Sequence, residues 1–230
     1  MTVAAIVPPA TLGILGGGQL GRNAVMAAAS MGYRTIVLDP DPSAPAGLLA
    51  HEHLVAAYDD PDALRRLSFD CDVITTEFEN VPAKALVTLG AHRPVAPGAA
   101  AVAVCQDRAA EKTHFERSGV PCAPWARIET PEQLADVGEH LLPGILKTSR
   151  MGYDGKGQWR IESAQDAAAL ALPGRPLIYE GFVRFTAEFS VILCRGADGD
   201  IRFWETPSNV HEGGILSRST VPVPPLVRPQ

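Results

Sequence analysis

The run Thr11–Arg22, TLGILGGGQLGR, decides how the first part of the chain folds. TLGIL is a short apolar segment bounded by glycine, which reads as a buried strand. Gly16, Gly18 and Gly21 then satisfy G-x-G-x-x-G between that strand and an alanine-rich helix running to about Ser30. Glycine lets the backbone turn tightly and approach a ligand, and a helix N-terminus favours an anion. Asp39 stands eighteen residues after Gly21, close to where a dinucleotide fold places its ribose-binding acid. The same strand–turn–helix serves any phosphorylated ligand, and also turns that bind nothing. By itself the motif leaves NAD, another nucleotide and a purely structural turn open.

Working outward, Arg34–Asp39 (RTIVLD) and Asp72–Thr76 read as further strands, with weaker strand signals at His53–Ala56 and Pro94–Ala96. Asp60 and Pro61 start a helix that extends to Ser68, with aspartate as cap and proline in the first helical position. Strands alternating with helices imply a Rossmann-like parallel α/β domain, here residues 1–98, ending at Pro97-Gly98. Two helical pieces follow within Ala99–Gly119. From Ile145 onward short apolar or alternating segments (ILK, QWRI, PLIYEGFV, AEFSVILCR, IRFWE) are broken by glycine, as in an antiparallel sheet, with one helix at Ser163–Leu172. Residues 99–230 are therefore expected to form an α+β domain, closing on the proline-rich VPVPPLVRPQ, which reads as a connector.

Composition limits the function classes. The 46% apolar fraction is enough for a packed core, and the net charge is −6 with its cations scattered. That argues against a nucleic-acid or anionic-membrane surface. Cys71, Cys105, Cys122 and Cys194 form neither a zinc pattern nor a disulfide framework, and reduced thiols of a cytoplasmic protein are expected. The first residues lack the features of a signal peptide, and no run approaches the roughly 18–20 apolar residues of a membrane span.

Three segments carry candidate chemistry. In TTEFENVP, Thr75–Pro82, Glu77 and Glu79 follow a strand at the edge where open parallel sheets gather ligands, about 7 Å apart in an extended chain. They could accept hydrogen bonds from hydroxyls or an amine, or be a solvated strand end. In KTSRMGYDGKGQ, Lys147–Gln158, a lysine ends one strand and three glycines fill the loop before the next. Such a loop can fold over a polyphosphate, its amides unobstructed by Cβ atoms and its charge supplied by Lys147 and Lys156. It is not a Walker A loop, since no G-K-[ST] precedes a helix, and the other protein-kinase signatures are absent. Downstream, YEGFV (Tyr179–Val183) reads as a strand able to present backbone groups to an adenine edge. Glu188 alone reads as a sheet-surface charge and His211 as a loop histidine.

Taken in order, GGGQLGR, EFENVP, QDR with Lys112, VPCAPW, GYDGKGQW and NVHEGGIL resemble one family along almost the whole chain. This is the N5-carboxyaminoimidazole ribonucleotide synthases, the ATP-grasp enzymes also called the ATPase subunit of phosphoribosylaminoimidazole carboxylase. The resemblance implies a pre-ATP-grasp domain followed by an ATP-grasp domain, and a ligase in purine biosynthesis. ATP phosphorylates bicarbonate to carboxyphosphate, which carboxylates the exocyclic amine of 5-aminoimidazole ribonucleotide and releases ADP and phosphate. By the same resemblance Arg108 and Lys147 contact ATP phosphates. Gly152, Tyr153, Asp154, Gly155, Lys156, Gly157 and Gln158 form the covering loop; Glu180, Gly181, Phe182 and Val183 hold adenine; Glu188 binds ribose and His211 sits near the nucleotide. Gly18, Gln19, Leu20 and Glu77 bind the imidazole ribonucleotide, and Tyr153, Asp154 and Lys156 lie near bicarbonate and the attacking amine as catalytic residues. A homodimer is also implied.

The chain departs from the family pattern in lacking the later segment that supplies magnesium ligands and the arginine-histidine-asparagine stretch. No metal ligand is assigned, Mg2+ is expected to be held by that segment, and residues 1–230 alone are expected not to turn over. The alternatives are another ATP-grasp ligase (the formate-dependent glycinamide ribonucleotide enzyme and biotin carboxylase have similar glycine turns), an NAD-dependent oxidoreductase built on GGGQLG and Asp39, and an inactive nucleotide-binding module.

Overall fold

The computed structural model describes residues 5–137, 141–152, 157–213 and 215–223. Packing divides the chain into two compact units between His114 and Phe115.

In the first unit, β1 (Thr11–Leu15), α1 (Gln19–Ser30), β2 (Arg34–Leu38), β3 (Glu52–Leu54), α2 (Pro61–Asp70), β4 (Val73–Thr76), α3 (Ala83–Gly90) and α4 (Ala99–Cys105) follow in order. α5 (Arg108–Arg117) carries the chain onward. The strands form one parallel sheet in the order β3-β2-β1-β4. Val95 extends it through a parallel bridge to Ile74, which is as much of the weak Pro94–Ala96 strand as forms. Successive residues of a strand face opposite sides. Leu15 accordingly joins Leu64, Leu67, Leu86, Leu89 and Val102 on the side of α2, α3 and α4, while Ile14 joins Val25 of α1 and Ala46 on the other. Both faces are buried, so the strands read as nearly continuous apolar runs. Asp60 caps α2 by accepting from the amides of Asp62 and Ala63, with Pro61 in the first turn as the sequence suggests. Val102 places α4 in this core; the 98/99 boundary read from Pro97-Gly98 stays a proposal about folding units.

The second unit contains β5 (Trp125–Ile128), α6 (Pro131–Ala135), β6 (Gly144–Thr148), β7 (Gln158–Ile161), α7 (Ala164–Ala169) and β8 (Leu177–Gly181). β5, β8, β6 and β7 pair in that order as an antiparallel sheet. One face packs Ile128, Leu146, Ile161, Leu177 and Tyr179 against Leu134 of α6 and Ala167 of α7. Reciprocal capping boxes start both helices, Thr130 with Gln133 and Ser163 with Asp166. Two ribbons follow, β9 (Leu193–Arg195) with β10 (Ile201–Phe203), and β11 (Ser208–Glu212) with β12 (Ile215–Thr220). The fold class is thus the expected one, a Rossmann-like parallel domain and an α+β domain.

Several local expectations are corrected. AEFSVILCR is not a continuous strand: only Leu193–Arg195 pairs regularly, with Phe189 in an isolated bridge to Ser208. The strand in YEGFV ends at Gly181, leaving Phe182 and Val183 beyond it. His211 lies in β11, not in a loop. The helix at Ser163–Leu172 stops at Ala169, where Leu170 turns extended. Among the described residues no helix is long and apolar enough to cross a membrane.

Candidate functional site

At the C-terminal edge of the parallel sheet, β1 gives way to the glycine turn. Gly16 has φ +102°, and a Cβ there would stand 2.4 Å from Glu77 Cγ, so only glycine fits. The turn brings three amides to two carboxylates of the same unit. Gly17 donates to Asp39 Oδ2 at 2.7 Å, Gly18 to Glu77 Oε1 at 2.8 Å and Gly21 to Glu77 Oε2 at 2.7 Å. Asp39 is buried and also accepts from the Tyr58 hydroxyl at 2.7 Å and the Asp41 amide at 2.9 Å. Burial, reinforced by that bond to Asp39, holds the Tyr58 phenol well above its ordinary range. Asp39 therefore braces the turn and is committed to it, which removes the ribose acid on which the NAD reading depended. Tyr58, which sequence reasoning missed, contacts Phe78 as well, at 5.7 Å between ring centroids. Glu79 lies past the end of β4, its carboxylate accepting from Asn80 and apart from the bonds Glu77 makes. Gln19 and Leu20 begin α1, with Leu20 exposed.

The second unit presents its chemistry on the sheet face opposite Leu146 and Tyr179. The antiparallel register sets Lys147 opposite Ile178 and Gln158, and Ile145 opposite Glu180 and Arg160. By alternation these residues share one face. Lys147 Nζ lies 2.9 Å from Glu180 Oε2 on that face, both side chains mostly buried. Arg160 stacks its guanidinium 5.0 Å from the Phe182 ring centroid and pairs with Glu162. Sequence reasoning passed over Arg160, although its place two residues after Gln158 in QWRI puts it on this face. As the chain leaves β8, the Gly181 amide donates to Pro124 O at 2.8 Å and the Phe182 amide to Pro143 O at 2.9 Å. Gly157 has φ +67° beside Thr148, where a Cβ would meet Oγ1 at 2.9 Å; it turns the chain into β7. Glu188 and His211, singled out separately, form a pair with His211 Nδ1 3.0 Å from Glu188 Oε2.

A model of the ribonucleotide synthetase preATP-grasp domain matches residues 9–106, and one of the ATP-grasp domain matches residues 113–227, half of the chain. The chain belongs to the ATP-grasp family. An N5-carboxyaminoimidazole ribonucleotide synthase from Brucella melitensis biotype 1 is 46% identical over 227 residues, covering 96% of this chain and 63% of the relative. A solved N5-carboxyaminoimidazole synthetase from Staphylococcus aureus, complexed with ADP, superposes with TM-score 0.87 at 34% identity, covering 94% of this chain and 59% of that one. An Aspergillus clavatus N5-carboxyaminoimidazole synthase in complex with ADP and 5-aminoimidazole ribonucleotide gives TM-score 0.82 at 30% identity, with 94% and 57% covered. These matches bear out the resemblance read from the motifs. The chain spans about three fifths of the length of these relatives.

Within this ATP-grasp chain the expected nucleotide residues Lys147, Gly157, Gln158, Glu180, Gly181, Phe182, Val183, Glu188 and His211 all belong to the second unit, and Gly18, Gln19, Leu20 and Glu77 to the first. Gly152 is the first residue of the expected covering loop, and Arg108 opens α5. Tyr153, Asp154, Gly155 and Lys156, which include all three expected catalytic residues, lie outside the described residues. Among the described residues no three of His, Cys, Asp and Glu gather closely enough to hold a metal ion.

Proposed function

We propose that this chain serves the ATP-dependent carboxylation of 5-aminoimidazole ribonucleotide by bicarbonate, the second unit holding ATP and the first the ribonucleotide. The observation that carries the nucleotide half is the sheet face of the second unit. A lysine, an arginine and a glutamine stand there in register, and beside them the chain leaves β8 with an aromatic residue. Lys147 meets the phosphate tail and Gln158 lies at the mouth of the glycine loop. The amides of Gly181 and Phe182 are already engaged, so within the Glu180–Val183 segment the Val183 amide is the donor left for an adenine ring nitrogen. Glu188 takes the ribose hydroxyls and His211 orients it.

The chemistry follows from what bicarbonate lacks. It is a poor electrophile until one oxygen becomes a phosphate leaving group. That oxygen attacks the γ-phosphorus and ADP departs. The amine of the ribonucleotide then attacks the carboxyl carbon, the C–O bond to phosphate breaks, and the amine gives up a proton. Positioning and charge neutralisation supply most of the acceleration in phosphoryl transfer. Carboxyphosphate is short-lived, and a closed loop that excludes water preserves it; that role falls to Gly152–Gln158. Magnesium, implied by the family, has no seat of three His, Cys, Asp or Glu side chains among the described residues. A cytoplasmic location and a homodimer belong to the same proposal.

Calorimetry tests the nucleotide half: ADP and ATP release heat on binding the folded chain, and Lys147→Ala removes it. A folded sample that gives no heat with either nucleotide overturns the proposal. A second reading is a nucleotide-binding chain that does not turn over. ADP binding without ribonucleotide-dependent ADP release supports that reading against the first.

A further inference from the structure

We infer that Asn209 positions Glu188, and thereby sets the preference of the nucleotide site for a sugar that carries hydroxyls. This rests on the reading of Glu188 as the ribose carboxylate, and it concerns a residue of NVHEGGIL to which that reading gives no part. Glu188 stands outside the regular ladders of the second unit. β9 begins only at Leu193, and before it the chain meets β11 through one isolated bridge, Phe189 to Ser208. Apolar packing does not hold this stretch, since Phe189, Val191 and Ile192 are all about half exposed. What holds it is polar and converges on Asn209. The Asn209 amide donates to Glu188 O at 2.8 Å, and the Ser190 amide donates to Pro207 O at 3.2 Å. The asparagine side chain adds two bonds. Its Nδ2 donates to Ser190 Oγ at 2.7 Å, and its Oδ1 accepts from the Ser219 hydroxyl at 2.9 Å.

The antiparallel geometry turns these bonds into a clamp. With Phe189 bridged to Ser208, Asn209 stands directly across from Glu188, and on its other side it pairs with Ser219 of β12. Residues opposite one another, and residues two apart along a strand, share a face. Glu188, Ser190, Asn209, His211 and Ser219 therefore line one face of this sheet. Glu188 reaches along one diagonal to His211, and Asn209 along the other to Ser190. An asparagine carries a donor and an acceptor at the end of a short side chain, so it can bind a hydroxyl on each neighbouring strand at once. Aspartate loses the donor, and alanine loses both. A carboxylate reads paired hydroxyls only when it is held to within about 0.5 Å by the groups behind it. The Glu188 side chain is 40% exposed and has little packing of its own to fix it. Asn209 supplies the constraint through Ser190 and the backbone, which makes it a positioning residue.

Calorimetry on the full chain with ADP and 2′,3′-dideoxy-ADP tests this, because the second ligand keeps the base and phosphates and offers the carboxylate no hydroxyl. Wild type is expected to bind ADP at least about tenfold more tightly than the dideoxy nucleotide, and Glu188→Ala to abolish the difference. Asn209→Ala should cut the preference to about threefold or less by weakening ADP alone. Asn209→Asp, with no N–H to give Ser190, should act in the same direction. Ser190→Ala removes the partner instead of the asparagine and should also lower the preference, which keeps the test open if the Asn209 variants do not fold. Damage to the fold alone would weaken both nucleotides together. The positioning role is overturned if wild type discriminates and Glu188→Ala does not, while the Asn209 and Ser190 variants keep the full preference or lose both ligands equally. If wild type binds the two nucleotides alike, or binds neither, the ribose reading of Glu188 fails and the role of Asn209 falls with it.

Discussion

Lys147 and Glu180 meet diagonally across neighbouring antiparallel strands, Nζ 2.9 Å from Oε2, on the sheet face turned away from the core. The lysine is 21% exposed and the glutamate 15%, so the pair is shielded from water without being sealed from it. An ion pair so placed loses more when one partner is removed than the pair contributes as a whole, because the survivor keeps its desolvation cost. Lys147→Ala is expected to lower stability by about 1–3 kcal/mol in urea unfolding, and to weaken ADP binding at least about tenfold by calorimetry. The double variant Lys147→Ala/Glu180→Ala should recover part of the stability but none of the ADP affinity. Recovery of ADP affinity alongside stability in the double variant contradicts a nucleotide role for Lys147.

Gly16→Ala is expected to destabilise the first unit by about 1–3 kcal/mol. Its φ of +102° is unfavourable for any residue with a Cβ, and that Cβ would overlap Glu77 Cγ at 2.4 Å. The change should also disturb the Gly18 and Gly21 amide resonances, since Glu77 must shift. A melting curve superimposable on wild type rules the close approach out.

Alkaline pH should weaken the first unit in a way two side chains explain. Burial pushes the Cys71 thiol from 9.0 up to about 12, helped by the charges of Asp70 and Asp72. Tyr58 moves the same way from 10.0. Both groups are neutral when protonated, and raised values mean the folded state holds protons that the unfolded chain has begun to release. Stability from Cys71 is therefore complete below about pH 9 and lost as pH climbs from there toward 12, at up to about 1.4 kcal/mol per pH unit. Tyr58 adds to the decline above about pH 10. Urea midpoints from pH 8 to 11 should fall, and Cys71→Ala with Tyr58→Phe should flatten the slope. A slope unchanged in the double variant assigns the decline to other groups.

Much of the first unit was legible because its signals are local and mutually consistent. TLGIL and RTIVL became strands β1 and β2, the glycine turn led into α1, and Asp60-Pro61 started α2. α3 went unread because AKALVTLG is short and has no capping side chain; tertiary packing of Ala85, Leu86 and Leu89 makes it a helix. The ribbon β11–β12 went unread because polar residues interrupt both its strands, though Gly213 marks a turn. In the site, types and order of residues were visible, whereas partners were not. Nothing local in EFENVP says that Glu77 will reach Gly18 and Gly21, contacts 59 and 56 residues away. Nor does QWRI announce that its arginine will cover Phe182, which depends on β7 and β8 flanking β6.

Arg160 places its guanidinium over the Phe182 ring while its Nε donates to Glu162, and the Phe182 amide, bonded to Pro143 O, ties the chain as it leaves β8. A cation over an aromatic ring at a partly exposed site contributes about 0.5–1 kcal/mol, too little to decide folding but enough to order a short segment. Arg160→Ala should leave the urea midpoint nearly unchanged. Amide exchange at Phe182 and Val183 should nevertheless quicken, and ADP should bind several-fold more weakly, because the Val183 donor is no longer held in place. Arg160→Lys keeps the charge but loses the flat stack, and should recover only part of the affinity. If Arg160→Ala binds ADP as wild type does while exchange at Val183 quickens, the Val183 amide is not what reads the nucleotide.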